Sequence, residues 1–286
     1  MNYELHGRNY KIGIAQWCLK SQGSGAVREA SKLGFNCIQL ETYFPGEKYY
    51  IGHDYVIESY RLASMQTNVT LCALALNVIE KIGIVDTFDM DDNSRLSVII
   101  RDSIQAASLL NIPLLYIPNF KESEIKNDNA LSSVSQIFKS VCLLAQQYDI
   151  TVATENTLNF RNTAKLITLV NETNFKVLID IYNPLLWGHS VCEIIRYNHP
   201  YIADQLHIKD GINGIMGNAR LGEGDSPPLY EIFKEIHYPI NQYTYIFEND
   251  YQTNAFSFVK QDMATFLGHL ELFVSSFELK KEMYNG

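Results

Sequence analysis

The sequence predicts an α/β protein built as a single (β/α)₈ TIM barrel with a parallel eight-stranded core. Short apolar, β-branched runs alternate along the chain with longer segments of helical period. The strand candidates are apolar on both faces, which is typical of parallel strands covered by helices. No linker or change of composition divides the 286 residues, so we expect one domain over 1–286. A doubly wound open sheet is the structural alternative.

Each strand candidate is too short, and too continuously apolar, for an amphipathic helix. The eight strand candidates are 11–18, 35–41, 69–77, 113–119, 150–156, 175–182, 202–209 and 243–249. In SRLSVIIRDSIQAASLL the apolar residues recur at spacings of three and four, as in a helix packed on a sheet. The helix candidates are 24–33, 54–67, 93–110, 128–148, 161–171, 189–197, 227–236 and 255–280.

The composition bounds the class of protein. An apolar fraction of 47% is enough for a substantial core, and a net charge of -9 lacks the basic surface that nucleic-acid binders need. No apolar run approaches the ~20 residues of a membrane span, and the N-terminus MNYELHGRNYK has no signal-peptide pattern. The five cysteines form no C-x-x-C pair and are expected to be free thiols. We expect a cytoplasmic protein without nucleic-acid or membrane partners.

Polar residues collect where the predicted strands end. In a barrel the C-terminal ends of the strands carry the active site. Any one such residue is commonly a strand end that meets solvent, but repetition over eight strands indicates a site. The set comprises Gln16, Glu41, Asn77, Asn119, Glu155 with Asn156, Asp180, His207 with Lys209, and Glu248 with Asn249.

The last four predicted strands end in three carboxylates and one imidazole, namely those of Glu155, Asp180, His207 and Glu248. Each follows a largely apolar strand and is expected to be desolvated, so three converging carboxylates would repel one another. One divalent metal ion bound by all four side chains resolves this conflict. Oxygen-rich ligation favours Mn²⁺, Mg²⁺ or Co²⁺, and Zn²⁺ is also compatible. Taken singly, His207 is equally explained as a core histidine and Asp180 as a strand-end cap.

Several short motifs carry a family resemblance over nearly the whole chain. They are LGFNCIQLE (33–41), ATEN (153–156), LIDIYN (178–183), LHIKDG (206–211), LGEGD (221–225) and FEND (247–250). In this order they resemble the xylose isomerase-like barrel superfamily, in its sugar phosphate isomerase/epimerase branch. That branch includes ketose 3-epimerases and inosose isomerases. The resemblance implies that the metal ligands fall on Glu155, Asp180, His207 and Glu248, and that Glu155 and Glu248 also do acid/base work.

The resemblance implies a divalent-metal-dependent isomerase or epimerase of a sugar, keto-sugar or cyclitol. Such an enzyme removes a proton next to a carbonyl and passes through a metal-stabilised enediolate. A lyase that dehydrates an inosose or a dehydroshikimate-like substrate on the same site is the alternative. A non-catalytic sugar-binding barrel is a third hypothesis, but it predicts the loss of a metal ligand, and all four are present. Relatives are often oligomers, so a homo-oligomer is compatible with the family.

Five further residues are candidates for substrate binding. Lys209 follows His207 by two residues and points to the same face, where it contacts a substrate oxygen or forms a salt bridge. Arg220 precedes LGEGD and is either an anion or hydroxyl clamp or a solvated loop residue. Glu41 ends the second strand. Trp17 follows the first strand, where it forms a wall of the sugar site or packs at the rim. Asn183 stands where many relatives carry His; an amide can bind a hydroxyl but cannot carry a proton.

Overall fold

The computed structural model describes residues 3–84, 94–236 and 239–285, with side chains as far as Glu278. Eight parallel strands close into a barrel surrounded by helices, which confirms the predicted fold class. The doubly wound alternative is wrong, because β2 pairs with strands on both of its sides. The strands are β1 (Tyr3–Leu5), β2 (Arg8–Ala15), β3 (Cys37–Glu41), β4 (Thr70–Ala75), β5 (Leu114–Asn119), β6 (Thr151–Asn156), β7 (Phe175–Asp180), β8 (Ile202–Ile208), β9 (Gly211–Ile212), β10 (Ile215–Met216) and β11 (Thr244–Phe247).

The barrel closes where β2 lies between β3 and β11. Gly13 pairs with Cys37 on one side and with Ile246 on the other. A Cβ on Gly13 would lie 2.6 Å from Cys37 Sγ and 2.9 Å from Ile246 Cδ1, so the strands approach this closely because the side chain is absent. Around the barrel the order is β2, β3, β4, β5, β6, β7, β8 and β11.

Two antiparallel hairpins stand outside the predicted pattern. β1 pairs with the start of β2 through a turn at His6 and Gly7, both of which have positive φ. β9 pairs with β10 in the loop that follows β8. The strand candidates missed both because these strands are only two or three residues long.

Helices follow the barrel strands as predicted, with small shifts at their ends. Ser94 caps α4 by accepting a hydrogen bond from Ser97 N, and Asn171 ends α6 in the left-handed conformation. The first residue of the predicted helix 93–110 lies outside the described residues. The helices are α1 (Ser24–Lys32), α2 (Asp54–Thr67), α3 (Ile79–Ile82), α4 (Arg95–Leu109), α5 (Asp128–Gln146), α6 (Phe160–Val170), α7 (Val191–Asn198), α8 (Leu229–Glu235) and α9 (Ala255–Asn285).

Five barrel strands end earlier than predicted, among them β4 at Ala75 and β8 at Ile208. The first barrel strand gives way to a 3₁₀ turn at Gln16–Cys18, and the last barrel strand ends at Phe247. β7 ends at Asp180 because its carboxylate accepts hydrogen bonds from the backbone N–H groups of Tyr182 and Asn183. Trp17 and Asn183 therefore lie on turns above the barrel mouth.

Two apolar layers surround the strands. A large cluster packs between strands and helices, and a smaller one of mostly small side chains fills the barrel interior. Four of the five free cysteines are buried, as expected of apolar thiols. None of the described helices is both long and apolar enough to cross a bilayer. The interior cluster consists of Ala73, Ala75, Leu114, Tyr116, Ala153, Leu178 and Ala203.

The docking of α9 depends on Phe266, which is fully buried and packs its ring 4.9 Å from Tyr245 and 5.5 Å from Phe247. We expect Phe266→Ala to lower the free energy of unfolding by about 3–5 kcal/mol, because it leaves a cavity beneath the helix. Urea denaturation followed by circular dichroism measures the change. Phe256→Ala, on the same helix but 72% exposed, is the matched control and should stay within about 0.5 kcal/mol of the parent. Equal losses would contradict this packing.

Candidate metal centre and active site

The four predicted metal ligands meet at the C-terminal mouth of the barrel. Glu155, Asp180 and His207 end or nearly end β6, β7 and β8, and Glu248 directly follows β11. The Nδ1 atom of His207 lies 3.0 Å from an Oε2 of Glu248, 3.2 Å from Oε2 of Glu155 and 3.9 Å from Oδ2 of Asp180. Neighbouring strands bring them together, since Asp180 and His207 are register partners. Three carboxylates therefore surround one imidazole nitrogen.

These atoms have the chemistry of a divalent-cation site. Glu155, Asp180 and His207 each offer a ligand atom, and these atoms lie within 4.8 Å of one another. His207 Nδ1 is buried and has no hydrogen-bond partner among the described residues, and the buried Asp180 Oδ2 is paired with the ammonium group of Lys209. Buried polar atoms are normally satisfied, so an unsatisfied Nδ1 surrounded by three carboxylates fits a bound metal ion. Glu248 completes the set through its contact with the same imidazole nitrogen.

The second nitrogen of His207 has its own partner. Nε2 lies 2.7 Å from Oε1 of Gln39, a fully buried side chain on β3. An amide oxygen accepts only, so Nε2 carries the proton, and in the neutral imidazole Nδ1 presents its lone pair to the carboxylates. This is the usual arrangement of a metal-binding histidine held by an outer partner. Gln39 was not predicted from the sequence. The pattern that could have identified it is a single amide within the otherwise largely apolar stretch CIQLE.

Burial and mutual charge shift the pKa values of the cluster. Burial lowers the pKa of the His207 imidazole, but the carboxylates of Glu248 and Glu155 outweigh it and raise this pKa to about 10. Burial raises the pKa of Asp180 to about 7, although the ammonium group of Lys209 lowers it. Without a metal ion, a proton on His207 therefore supplies part of the positive charge that the three carboxylates require.

Lys209 supplies another positive charge. Its Nζ lies 3.0 Å from Oδ2 of Asp180 and 2.9 Å from Oε2 of Glu248. Burial raises the pKa of Glu248, yet the charges of Lys209 and His207 hold it well below its usual value. Of the two interpretations of Lys209, the salt bridge is present, and Lys209 also lines the cavity described below.

Neutral donors hold the two glutamates in place. Tyr116 Oη donates to Oε2 of Glu155 at 2.6 Å, and the amide of Asn183 donates to Oε1. Trp17 Nε1 donates to Oε1 of Glu248 at 2.9 Å. Tyr116 was not predicted, because it lies inside the apolar run of β5 and reads as a core residue. Its position becomes functional only when β5 and β6 pair.

A cavity of about 750 Å³ opens above the cluster. Glu155, Glu248 and Asn183 line its floor with Trp17. Glu41 also faces it and accepts a hydrogen bond from Tyr43 Oη at 3.1 Å, and burial raises the pKa of its carboxyl. The aromatic residues Tyr43, Phe44, Phe120 and Trp187 also line the cavity. Such a cavity is large enough for a sugar-sized ligand.

Of the five residues predicted to bind substrate, Arg220 is the one that does not line this cavity. Its Nη1 lies 3.2 Å from Oδ2 of the buried Asp262, and its guanidinium group lies 4.3 Å from the centre of the Phe258 ring. Its charge is therefore used within the protein, between the loop after β10 and α9. This geometry gives no support to a substrate clamp. A second cavity of about 630 Å³ lies at the opposite end of the barrel and contains none of the four ligand residues.

Metal binding by this cluster should release protons. Only a neutral imidazole binds a cation, and His207 is protonated below about pH 10 in the metal-free protein. We therefore expect the affinity for Mn²⁺ to rise from about pH 6 to about pH 9, with proton release at neutral pH. Calorimetry in buffers of different ionisation enthalpy measures both quantities.

Asp180→Asn should weaken Mn²⁺ binding by about 100-fold or more, because it removes a ligand oxygen. Glu41→Gln is the matched control, since Glu41 faces the same cavity but lies outside the cluster. Equal losses in the two variants, or binding without proton release, would rule out this cluster as the metal site.

Comparison with known proteins finds relatives of similar sequence and fold. The sequence is 25% identical over 253 residues to 2-epi-5-epi-valiolone 7-phosphate 2-epimerase of Actinoplanes sp. (strain ATCC 31044 / CBS 674.73 / SE50/110), covering 88% of this chain and 92% of that protein. Among solved structures, the fold is similar to the IOLI protein with a bound zinc atom, at a TM-score of 0.72 and 13% identity, over 92% of this chain and 99% of that one.

An L-ribulose 3-epimerase has a similar fold, with a TM-score of 0.71, 14% identity, and coverage of 94% of this chain and 97% of that one. At these identities the solved structures establish the shared fold. The profile of one family, described as xylose isomerase-like TIM barrel, matches residues 27–252. That match spans most of the chain and includes all four candidate metal ligands. The chain is thus a member of the xylose isomerase-like TIM barrel family.

Proposed function

We propose that this protein is a divalent-metal-dependent epimerase or isomerase of a keto-sugar or ketocyclitol. The observation that carries the proposal is a pair of glutamates, the buried Glu155 and the largely buried Glu248, which both line the cavity and both contact the imidazole nitrogen of His207. Two carboxylates beside one reacting carbon can remove a proton and return one. The family membership and the epimerase relative support the same chemistry.

Glu155, Asp180, His207 and Glu248 would hold the divalent ion. The oxygen-rich set favours Mn²⁺, Mg²⁺ or Co²⁺, and Zn²⁺ is compatible with it. When bound, the ion polarises the substrate carbonyl and so acidifies the neighbouring C–H bond. The buried position of the cluster strengthens this effect, because little water competes for the charges.

The protein's own residues then move the proton. One glutamate accepts it from the carbon beside the carbonyl, and the enediolate that forms is reprotonated. Epimerisation follows when the other glutamate, protonated from solvent, delivers its proton to the opposite face and the first glutamate then loses its proton to solvent. Isomerisation follows when the first glutamate returns the proton to the neighbouring carbon. Tyr116 and Asn183 fix the orientation of Glu155, while Trp17 and Lys209 fix that of Glu248, so neither carboxylate must reorganise during the reaction.

Asn183 connects this acid/base pair to the substrate. Its amide nitrogen donates to Glu155, and its Oδ1 is buried without a hydrogen-bond partner among the described residues. An unpaired acceptor at a cavity wall is suited to a substrate hydroxyl, which donates to it. Glu41 and Trp17 face the same space and are the other proposed substrate contacts. Because Asn183 carries no proton, its proposed role is to position groups.

Substrate exchange tests the reaction. In D₂O, with a divalent metal and a panel of ketoses and inososes, the parent protein should incorporate deuterium beside the carbonyl of recovered substrate or product. Glu155→Gln and Glu248→Gln should each lower the exchange rate at least about 100-fold. Proton magnetic resonance measures the rate. Glu223→Gln is the matched control, since its carboxylate pairs with Gln261 outside the cavity, and should exchange like the parent.

Absence of exchange with every substrate would contradict the proposal. A conjugated enone that absorbs in the ultraviolet would identify a dehydratase instead, since a lyase shares the proton removal and then expels a β-hydroxyl group.

Asn183→Ala should lower kcat for exchange by about tenfold or more, because Glu155 loses a charge-assisted hydrogen bond. The affinity for Mn²⁺ should stay near that of the parent, since Asn183 contacts Oε1 of Glu155 and not the Oε2 that faces His207. Kinetics and metal titration of the same preparation separate the two effects. Unchanged kcat would show that Asn183 does not position Glu155, and lost metal affinity would indicate a general structural role.

A further inference from the structure

We infer that the substrate of this site is an uncharged polyhydroxylated ketone without a phosphate group. The inference rests on the proposed function and adds the charge of the molecule that the cavity accepts. It distinguishes this chain from the relative that is named for a 7-phosphate. Three features carry it. They are the charges of the cavity walls, the ion pairs of the nearby cations, and a loop whose potential anion-binding N–H groups already bind a carboxylate of the protein.

Carboxylates outnumber ammonium groups around the cavity. Six carboxylates face it among the described residues, against the ammonium groups of Lys81, Lys121 and Lys209. A divalent ion at the floor would be matched by its own ligands and leave the excess at the rim unchanged. A phosphate dianion would therefore enter a field of like charge, which disfavours its binding. The six are Glu41, Glu47, Glu80, Glu155, Glu248 and Asp250.

The ammonium groups have partners within the protein. Lys209 lies between Asp180 and Glu248, and Lys121 lies 2.5 Å from Oε2 of Glu80. Lys81 lies 5.9 Å from the centre of the Phe44 ring, and among the described residues it forms no ion pair. A phosphate group would have to compete with a carboxylate for either of the first two. Lys81 alone would be left to bind the phosphate group, against the repulsion of the carboxylates at the rim.

The loop after β8 holds a ready-made anion site that the chain fills itself. The backbone N–H groups of Gly222, Gly224 and Ser226 converge at 2.9, 3.0 and 2.9 Å on the two carboxylate oxygens of Asp210. Convergent backbone N–H groups of this kind bind phosphate in many proteins, and barrels often place them after the seventh strand. Asp210 is 1% exposed. A Cβ on Gly224 would lie 2.3 Å from Oδ1 of Asp210, so the carboxylate lies directly against the backbone of the loop.

Arg220, the cation nearest in sequence to that loop, also has its partners within the protein. Asp262 pairs with its guanidinium group, and the ring of Phe258 covers one face of it. Apart from Lys81, the groups near the cavity that would recognise a phosphate are thus paired with carboxylates of the protein itself. What the cavity still offers is hydrogen-bonding capacity, including the unpaired Oδ1 of Asn183, together with aromatic walls. These suit hydroxyl groups and C–H faces.

Matched substrate pairs test the inference on the metal-loaded, full-length protein. The pairs are D-fructose with D-fructose 6-phosphate and D-xylulose with D-xylulose 5-phosphate, and the readout is deuterium exchange in D₂O. We expect kcat/KM to be on the order of 100-fold higher for the unphosphorylated member. An equal or faster reaction of the phosphate ester would overturn the inference while the proposed function stands.

Binding calorimetry with inorganic phosphate gives a second readout that does not depend on turnover. We expect no saturable binding at the cavity rim. Saturable binding that is lost in Lys81→Ala would overturn the inference, even if neither member of a pair exchanges and the proposed function fails. Absence of such binding supports an uncharged ligand in either case.

Glu80→Gln tests whether the charge of the cavity is the cause. It removes one rim carboxylate and releases Lys121, so the preference for the unphosphorylated member should narrow about tenfold. Glu235→Gln is the matched control, because its ion pair with Arg196 joins the outer helices α7 and α8. An unchanged preference in Glu80→Gln, or an equal change in both variants, would contradict the electrostatic explanation.

Discussion

The convergence of three carboxylates on one imidazole nitrogen is the interaction on which the rest of the site depends. Such a cluster is costly when buried, because like charges repel strongly where water is excluded. Lys209 offsets part of this charge from within the cluster. The remainder requires a proton on His207 or a divalent cation, and the two compete for the same nitrogen. Repulsion among the carboxylates destabilises the site when no positive charge is present. The same repulsion favours the binding of a metal ion.

The barrel keeps this arrangement rigid. The ligands sit at strand ends whose spacing is set by backbone hydrogen bonds between neighbouring strands. The second atoms of His207, Glu155 and Glu248 are held by Gln39, Asn183 and Trp17, respectively. Donors fixed before the reaction need no rearrangement while charge develops on the substrate. The same rigidity places Asn183 both against Glu155 and in the wall of the cavity.

Elsewhere at the barrel mouth, carboxylates of the protein itself pair with groups that bind ligands in other proteins. The carboxylate of Asp210 accepts hydrogen bonds from backbone N–H groups of the loop after β8, and the carboxylate of Asp262 forms an ion pair with Arg220. Both acids are almost fully buried and hold the loop against the barrel. The loop gains a defined conformation, and the site loses an anion-binding function. A family pattern shared in sequence, such as LGEGD, therefore does not by itself fix which ligand a member accepts.

The sequence by itself determined the class of fold and the kind of chemical group at each strand end. Parallel strands covered on both faces produce apolar runs that stand out locally, and the charged residues Glu155, Asp180, His207 and Glu248 contrast with those runs. The tertiary structure decided the partners. Gln39 and Tyr116 lie within apolar strands and gain their roles from neighbouring strands, while Trp17 reaches Glu248 across a separation of 231 residues. Barrel closure creates these contacts, and no local pattern records which distant residue it will bring within hydrogen-bonding distance.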